Sequence, residues 1–421
     1  MSQISGPTKG DVSVLRELAK RYAEIASLDI MEKTRRRMTE NNDLKPGRPP
    51  VLLHEVPWHE MDVDGKLALK CTDPFARNME IFFRKNLFQW EYFPGDMYLE
   101  PFYAIYKTYT STGNGFEVME NQIIIDGGNN IYSHRYVDQL ENAEDVEKFR
   151  KPVLTAYPEK DKEYVTLARE VLGDILPIEL RGRDIYCPPW DDIARFRGVT
   201  AILMDLADRP EHIHRIMSKY IEGATAELEQ MEALGLLEYR NPYLHCTPEF
   251  TSDLPRKDRN PDEPPRLKDV WFRTMAQIFS VVSPDMHEEF DALYTKPLAD
   301  RCGLTYYGCC EALDRKIPML RKTYKNLRKI GVSPWASEET CAEQIGKAYV
   351  YSRKANPANV SQTADPDVIR AETRNTVELC LKYGCPYEIV LKDISTVSYH
   401  PENLSVWEET VRKTLDEYYK D

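Results

Sequence analysis

The chain has 421 residues, 42% of them hydrophobic and 30% charged, with a formal net charge of −13 at pH 7. That length holds one large domain or two ordinary ones, and the acidic balance excludes a nucleic-acid partner, which needs a concentrated basic face. No apolar run is long enough to cross a bilayer, and the opening MSQISGPTKGDVSVLREL lacks the basic-then-apolar plan of a secretory signal. A cytoplasmic protein that spans no membrane is expected, and its nine cysteines should be free thiols there.

In chain order, residues 11–42 carry apolar residues at helical spacing, with Asp11 as the expected N-cap and the basic EKTRRRMTENN as a solvated face. LKPGRPPVLLHEVPWHEMD then reads as an extended arm in which VLLHEV is strand-like. Residues 1–88 are thus expected to form a helical and extended-arm extension packed on the remainder. From about 89 the pattern changes to short apolar runs separated by amphipathic helices. GDMYLEPFYAIY, IELRGRDIYCPPW, YRNPYLHCTPEF, LTYYGCCE, LRKIGVSPW, KAYVYSRKANP and YEIVLKDIST are the strand candidates. SPDMHEEFDALYTKPLADRCG is a helix capped by Ser283 and stopped at Gly303. This alternation predicts a parallel sheet, and its length predicts an α/β fold of the (β/α)8 TIM-barrel type over 89–421. SDLPRKDRNPDEPPRLKD, 252–269, is the one long loop, expected as an insertion with lid character.

In such a barrel, chemistry sits where strands end. The expected strand ends carry Asp96 to Glu100, then Trp190 with Cys187 and Asp191, then His245 with Glu249. Tyr307, Cys309, Cys310 and Glu311 follow, then Trp335, Lys354, and Lys392 with Asp393. Aromatic residues among thiols, acids and lysines describe a pocket for a small, partly aromatic ligand. Bland readings stand beside these. Strand alternation would turn one of Cys309 and Cys310 outward as packing. His245 suits a core or loop histidine, and Trp58, His59 and Glu60 in PWHEMD suit an ordinary turn as well as a site.

GRDIYCPPWDDIARFRGVTAILMDLADRPEHIHRIMSKYIEG resembles the uroporphyrinogen decarboxylase superfamily, in which a proline-containing strand end leads into such a helix. SPDMHEEFDALYTKPLADRCGLTYYGCCE is similar to that superfamily's helix running into a strand that ends His-x-Cys-Gly. KAYVYSRKANP and EIVLKDIST occupy the places of its later strands. The chain lacks the arginine-rich RQAGRY signature of the tetrapyrrole decarboxylases and offers PWHEMD instead. The resemblance therefore implies the methyltransferase branch, in character closest to the ether-cleaving O-demethylases of anaerobic metabolism. These move a methyl group from a methoxylated aromatic to the cobalamin of a corrinoid-binding partner protein. It also implies a zinc site. Cys309 matches the superfamily's cysteine, Tyr307 stands in the place of its histidine, and Lys392 and Asp393 stand in the place of its last cysteine. Cys310, Glu311 or Asp393 would complete the set.

On that reading Tyr307, Glu311 and Asp393 are the candidate catalytic groups, and Cys309 and Cys310 the candidate metal ligands. Trp58, Trp190 and Trp335 would stack on the substrate. His59, Glu60, Asp96 and His245 would orient it, and Lys354 and Lys392 would pair a carboxylate or a developing phenolate. A homodimer is a further expectation. The alternatives are a decarboxylase or other lyase on the same scaffold, and a non-catalytic barrel that binds a small ligand.

Overall fold

The computed structural model describes residues 6–123 and 133–420, so residues 1–5 of the expected extension, and 124–132 and 421 of the expected barrel, lie outside the described residues. Thr8 and Asp11 start α1 (Lys9–Ala26) with a reciprocal capping box, in which the Asp11 N–H donates to Thr8 Oγ1 at 3.2 Å. Asp11 therefore serves as the answering acid in the first turn, and Thr8 is the cap. The expected single helix breaks at Ser27 and Leu28, and α2 (Asp29–Asn42) follows. Arg35 and Arg36 are exposed on α2, as a solvated face should be, while Arg37 pairs with the buried Asp96. Leu15, Leu18, Ala19 and Tyr22 bury one face of α1 against α3 (Pro74–Tyr92).

Seven parallel strands form a curled, half-barrel sheet. They are β1 (Val51–Leu53), β2 (Ile185–Tyr186), β3 (Trp271–Thr274), β4 (Leu304–Tyr307), β5 (Leu327–Val332), β6 (Val350–Ala355) and β7 (Tyr387–Leu391). Their order is β1-β7-β6-β5-β4-β3-β2. From β2 to β7 consecutive strands are neighbours, and β1 pairs with the last strand, the winding expected of a barrel. The expected arm thus contributes β1 to the sheet, through Val51 opposite Ile389 and Leu53 opposite Leu391.

The ring of hydrogen bonds is not closed. Among the described residues no ladder joins β1 to β2, which is only two residues long. A small hairpin of Tyr243–Leu244 and Thr247–Pro248 packs beside the sheet instead. Its Cys246 packs with Leu52 of β1 and Val390 of β7, and its Leu244 with Trp271 of β3.

Strand alternation sorts the two faces. Phe272, Tyr307, Ile330, Tyr351 and Ile389 point outward into the main hydrophobic core beneath the helices. Each contributes about 1.5–3 kcal/mol by leaving water. The inward face is polar: Arg273, Tyr306, Lys329, Ser352, Lys354 and Glu388 are all buried there.

The 252–269 loop does not cover the mouth. Asp253 pairs with Arg328 near the start of β5, and Lys268 Nζ donates to Asp300 O just before β4. Its Leu254 side chain lies against Gly303, immediately before β4. Proline and charge in this loop serve packing under the strand starts, at the end of the sheet away from the strand ends. No helix among the described residues is long and apolar enough to cross a membrane.

Candidate functional site

β4 ends at Tyr307, and Gly308 takes φ +102°, a conformation open to glycine. The chain therefore leaves the pleat before the two cysteines, and strand alternation no longer separates them. Both thiols converge, with their sulfurs 3.8 Å apart, and all nine cysteines are free. Cys309 is buried and Cys310 is partly open to solvent.

β7 ends beside them. Lys392 Nζ donates to Cys309 Sγ at 2.7 Å, and the Cys310 thiol donates to Asp393 Oδ2 at 2.7 Å. β1 brings Glu55, whose Oε2 accepts from the Asp393 N–H at 3.0 Å and lies 3.5 Å from Lys392 Nζ. The hairpin brings His245, with Nε2 2.7 Å from Glu55 Oε1, and Cys246, which adjoins Cys309. Glu55, His245 and Asp393 all hold positive φ, at 53°, 59° and 55°. Strained backbone of this kind concentrates at functional sites, at a cost of about 1–3 kcal/mol each.

The electrostatics follow from these contacts. Burial raises the Glu55 carboxyl, but His245, Asp393 and Lys392 outweigh it and hold the group well below the usual carboxylate range. Burial lowers Lys392, but the thiols of Cys246, Cys309 and Cys310 and the Asp393 carboxylate hold it well above its ordinary value. The Cys246 hydrogen bond lowers Cys309, while the Cys310 thiol and burial outweigh it and push Cys309 up to about 11.

Ligand atoms of Cys309, Cys310 and Asp393 lie within 4.8 Å of one another. Tetrahedral zinc with Zn–S near 2.3 Å sets two sulfurs about 3.8 Å apart. The observed sulfur spacing matches that edge. Cys246 stands next to the same cluster.

The remaining expected residues divide into those near this mouth and those elsewhere. Trp335 follows β5 and is 72% exposed; its N–H donates to Ser333 Oγ, which donates to the Cys310 carbonyl. Glu311 is buried, and its two oxygens accept the N–H groups of Ala276 and Cys309 at 3.2 and 2.9 Å. Each Glu311 oxygen thus holds one backbone N–H, and the carboxyl clamps the loop. Lys354 lies on the inward face, with Nζ donating to Ser352 Oγ at 2.7 Å.

Tyr307 points outward, where its hydroxyl donates to Asp291 Oδ2 at 2.6 Å and accepts from His287. A π turn at Glu288–Ala292 in the helix that Ser283 caps carries that aspartate. Trp190 packs on Phe279 in the helix layer. Asp96 accepts the Val51 N–H at the start of β1, the opposite end from the mouth. Glu60 accepts from Thr396 Oγ1 and the Val397 N–H, both at 2.7 Å, and so ties the arm to the segment after β7. His59 stands beside Glu60, and Trp58 packs edge-on against Phe88.

Three residues of the site, Glu55, Cys246 and Arg273, are absent from the sequence expectations, and Asp191 stands there among the expected strand ends without an assigned role. Burial, with the nearby charge of Glu311, pushes the Asp191 carboxyl up to about 7, and its buried Oδ1 has no hydrogen-bond partner. Arg273 in WFRT was readable as a charge at an inward position of a short strand. Cys246 offered no local signal.

No family model matches the chain. No curated protein matches it either. Among solved structures, a methyltransferase from Methanosarcina mazei superposes with a TM-score of 0.48 at 14% sequence identity. That match covers 91% of this chain and 98% of the other. A likeness of this strength carries no functional conclusion.

Proposed function

We propose that this chain is a methyltransferase on a (β/α)8-type barrel, moving a methyl group from a methoxylated aromatic to the cobalamin of a corrinoid-binding partner. The observation that carries the reading is the convergence of Cys246, Cys309, Cys310 and Asp393 where the strands end. Thiol and carboxylate donors at that spacing suit zinc, and zinc bound there would polarise the ether oxygen as a Lewis acid.

The difficulty of the reaction is its leaving group, since a phenol has a pKa of about 10. The methyl carbon–oxygen bond breaks, its electron pair stays on the aryl oxygen, and the methyl group passes to the partner's reduced cobalt. Asp191, held near neutrality, is the acid that gives the oxygen its proton. Glu311 holds the Cys309 backbone in place, and Lys392 steadies the Cys309 sulfur. Trp335, exposed beside Cys310, supplies an apolar rim where a partner carrying a large flat cofactor can dock.

The test is a single-turnover assay. Zinc-loaded protein is mixed with chemically reduced cobalamin and a panel of methoxylated aromatics, and methylation of the cobalamin is followed by its absorption spectrum. Methylation that depends on the protein and is lost in Cys309→Ala supports the reading. No methylation with any donor, with free cobalamin or a corrinoid protein, overturns it.

A further inference from the structure

The inward face beneath the thiols carries more positive charge than its own carboxylates neutralise. Lys329 pairs with Glu388 at 2.9 Å, and Lys392 with Asp393 at 3.0 Å and Glu55 at 3.5 Å. Arg273 and Lys354 have no such partner among the described residues. Lys354 meets a hydroxyl, Ser352 Oγ, which itself donates to Glu388 at 2.5 Å. Arg273 is 0% exposed, and its Nε and Nη1 have no hydrogen-bond partner. Its Nη2 reaches the Met275 thioether at 3.6 Å.

A buried guanidinium is costly unless an anion faces it. Water could fill its hydrogen bonds but would not balance its charge. The aromatic groups around it offer only partial relief: Arg273 lies 4.2 Å from the Tyr186 ring centroid and 5.7 Å from that of Tyr306. Lys354 lies 5.5 Å from the same Tyr306 ring, and the buried Tyr306 hydroxyl has no hydrogen-bond partner. Two cations thus lie within 6 Å of the Tyr306 ring, whose hydroxyl is free, and all three residues are nine-tenths buried or more.

We infer that Arg273, Lys354 and Tyr306 form an anion subsite in the half-barrel, built to hold the carboxylate of a small aromatic acid. Planar guanidinium donors match a carboxylate's two oxygens, and the Tyr186 and Tyr306 rings suit an aromatic body. Arg273 also lies within electrostatic reach of Cys309 and Cys246, so a ligand anchored here extends toward the thiols. Joined to the function proposed above, on which this step alone rests, the substrate is a methoxylated aromatic acid rather than a neutral ether.

Binding is tested without any methyl acceptor, so its outcome is separate from that of the transfer assay. The protein is titrated calorimetrically with 4-methoxybenzoate and with its neutral analogue 4-methoxybenzamide. The wild type is expected to prefer the acid by about 30-fold or more, the least expected when one member of a buried charge pair is missing. Arg273→Met should abolish that preference while its Tm stays at or above the wild-type value, because an unpaired buried charge has been removed. Lys354→Met should weaken the preference in the same titration and serves as the second variant should Arg273→Met not fold. Equal affinity for acid and amide in the wild type overturns the subsite, as does an undiminished preference in either folded variant.

Discussion

Lys392 Nζ stands 2.7 Å from Cys309 Sγ and 3.0 Å from Asp393 Oδ2, so one ammonium joins the thiol of β4's end to the acid of β7's end. The same ammonium lies 3.5 Å from Glu55 of β1's end. Three strand ends are thereby tied through one side chain before any ligand is considered.

Under the proposed zinc site, purified protein should carry about one equivalent of zinc by elemental analysis. Cys309→Ser, Cys246→Ser and Asp393→Asn should each lower it, by 10-fold or more in affinity where a direct ligand is lost. Chelation should abolish methyl transfer and added zinc restore it. Wild-type zinc content in all three variants would remove Cys309, Cys246 and Asp393 from any metal role.

Asp191 predicts an alkaline limb. Its folded carboxyl is raised from an ordinary value of about 3.8 to about 7. The acid form therefore predominates below about 7 and is lost as pH rises through it. kcat/KM should fall across that window, and Asp191→Asn should be slow at every pH with no such limb. The sign for stability is the same: the protonated group favours the fold, and that contribution declines as pH rises from about 4 through about 7. Arg273, Glu311, Asp192 and the Gln277 backbone are the groups that act on Asp191. A limb that persists unchanged in the Asn variant would assign the acid to another residue.

Glu388 is the carboxylate that meets Lys329 on the inward face, and it also accepts from Ser352. Glu388→Gln should cost about 3–5 kcal/mol in urea unfolding, because a buried ammonium is left without its charge partner. The double variant Glu388→Gln, Lys329→Met should recover part of that loss. No recovery would mean that the pair is not energetically coupled.

Gly308→Ala should separate stability from activity. A Cβ there would lie 2.7 Å from Leu313 Cδ1, at φ +102°. The expected cost is about 1–3 kcal/mol, readable as a lowered Tm. Methyl transfer and zinc content should fall further than that loss explains, because Cys309 and Cys310 follow directly. Normal zinc content in a destabilised variant would show that the turn does not aim the thiols.

The later half of the sheet was legible in the sequence. From LTYYGCCE onward each strand is a compact apolar run bounded by clear helix signals, and β4 to β7 lie where those runs predict. The first half was legible only in part. VLLHEV holds β1 and IELRGRDIYCPPW holds the two-residue β2, but no expected run covers β3, and the strand at Tyr103–Tyr106 pairs with Ile178–Arg181 outside the main sheet. Asp96 read as a strand-end acid, but the strand it serves is β1, whose first N–H it accepts. Tyr307 occupied the right strand on the wrong face, a one-residue distinction that alternation decides. Cys246, Glu55 and Arg273 come from segments far apart in sequence, and only the fold brings them together.

The pairing of β1 with β7 also sets the order in which this site can come into being. Residues near position 52 must wait for residues near position 390 before their ladder can form. Such a long separation makes this a late, slow contact. During synthesis, Glu55 emerges well before its Lys392 and Asp393 neighbours, and Cys309 and Cys310 before the ammonium and carboxylate that will hold them. A ribosome-bound nascent chain that stops short of β7 therefore displays two adjacent thiols without their cation, and the assembled cluster reports that the last strand has docked.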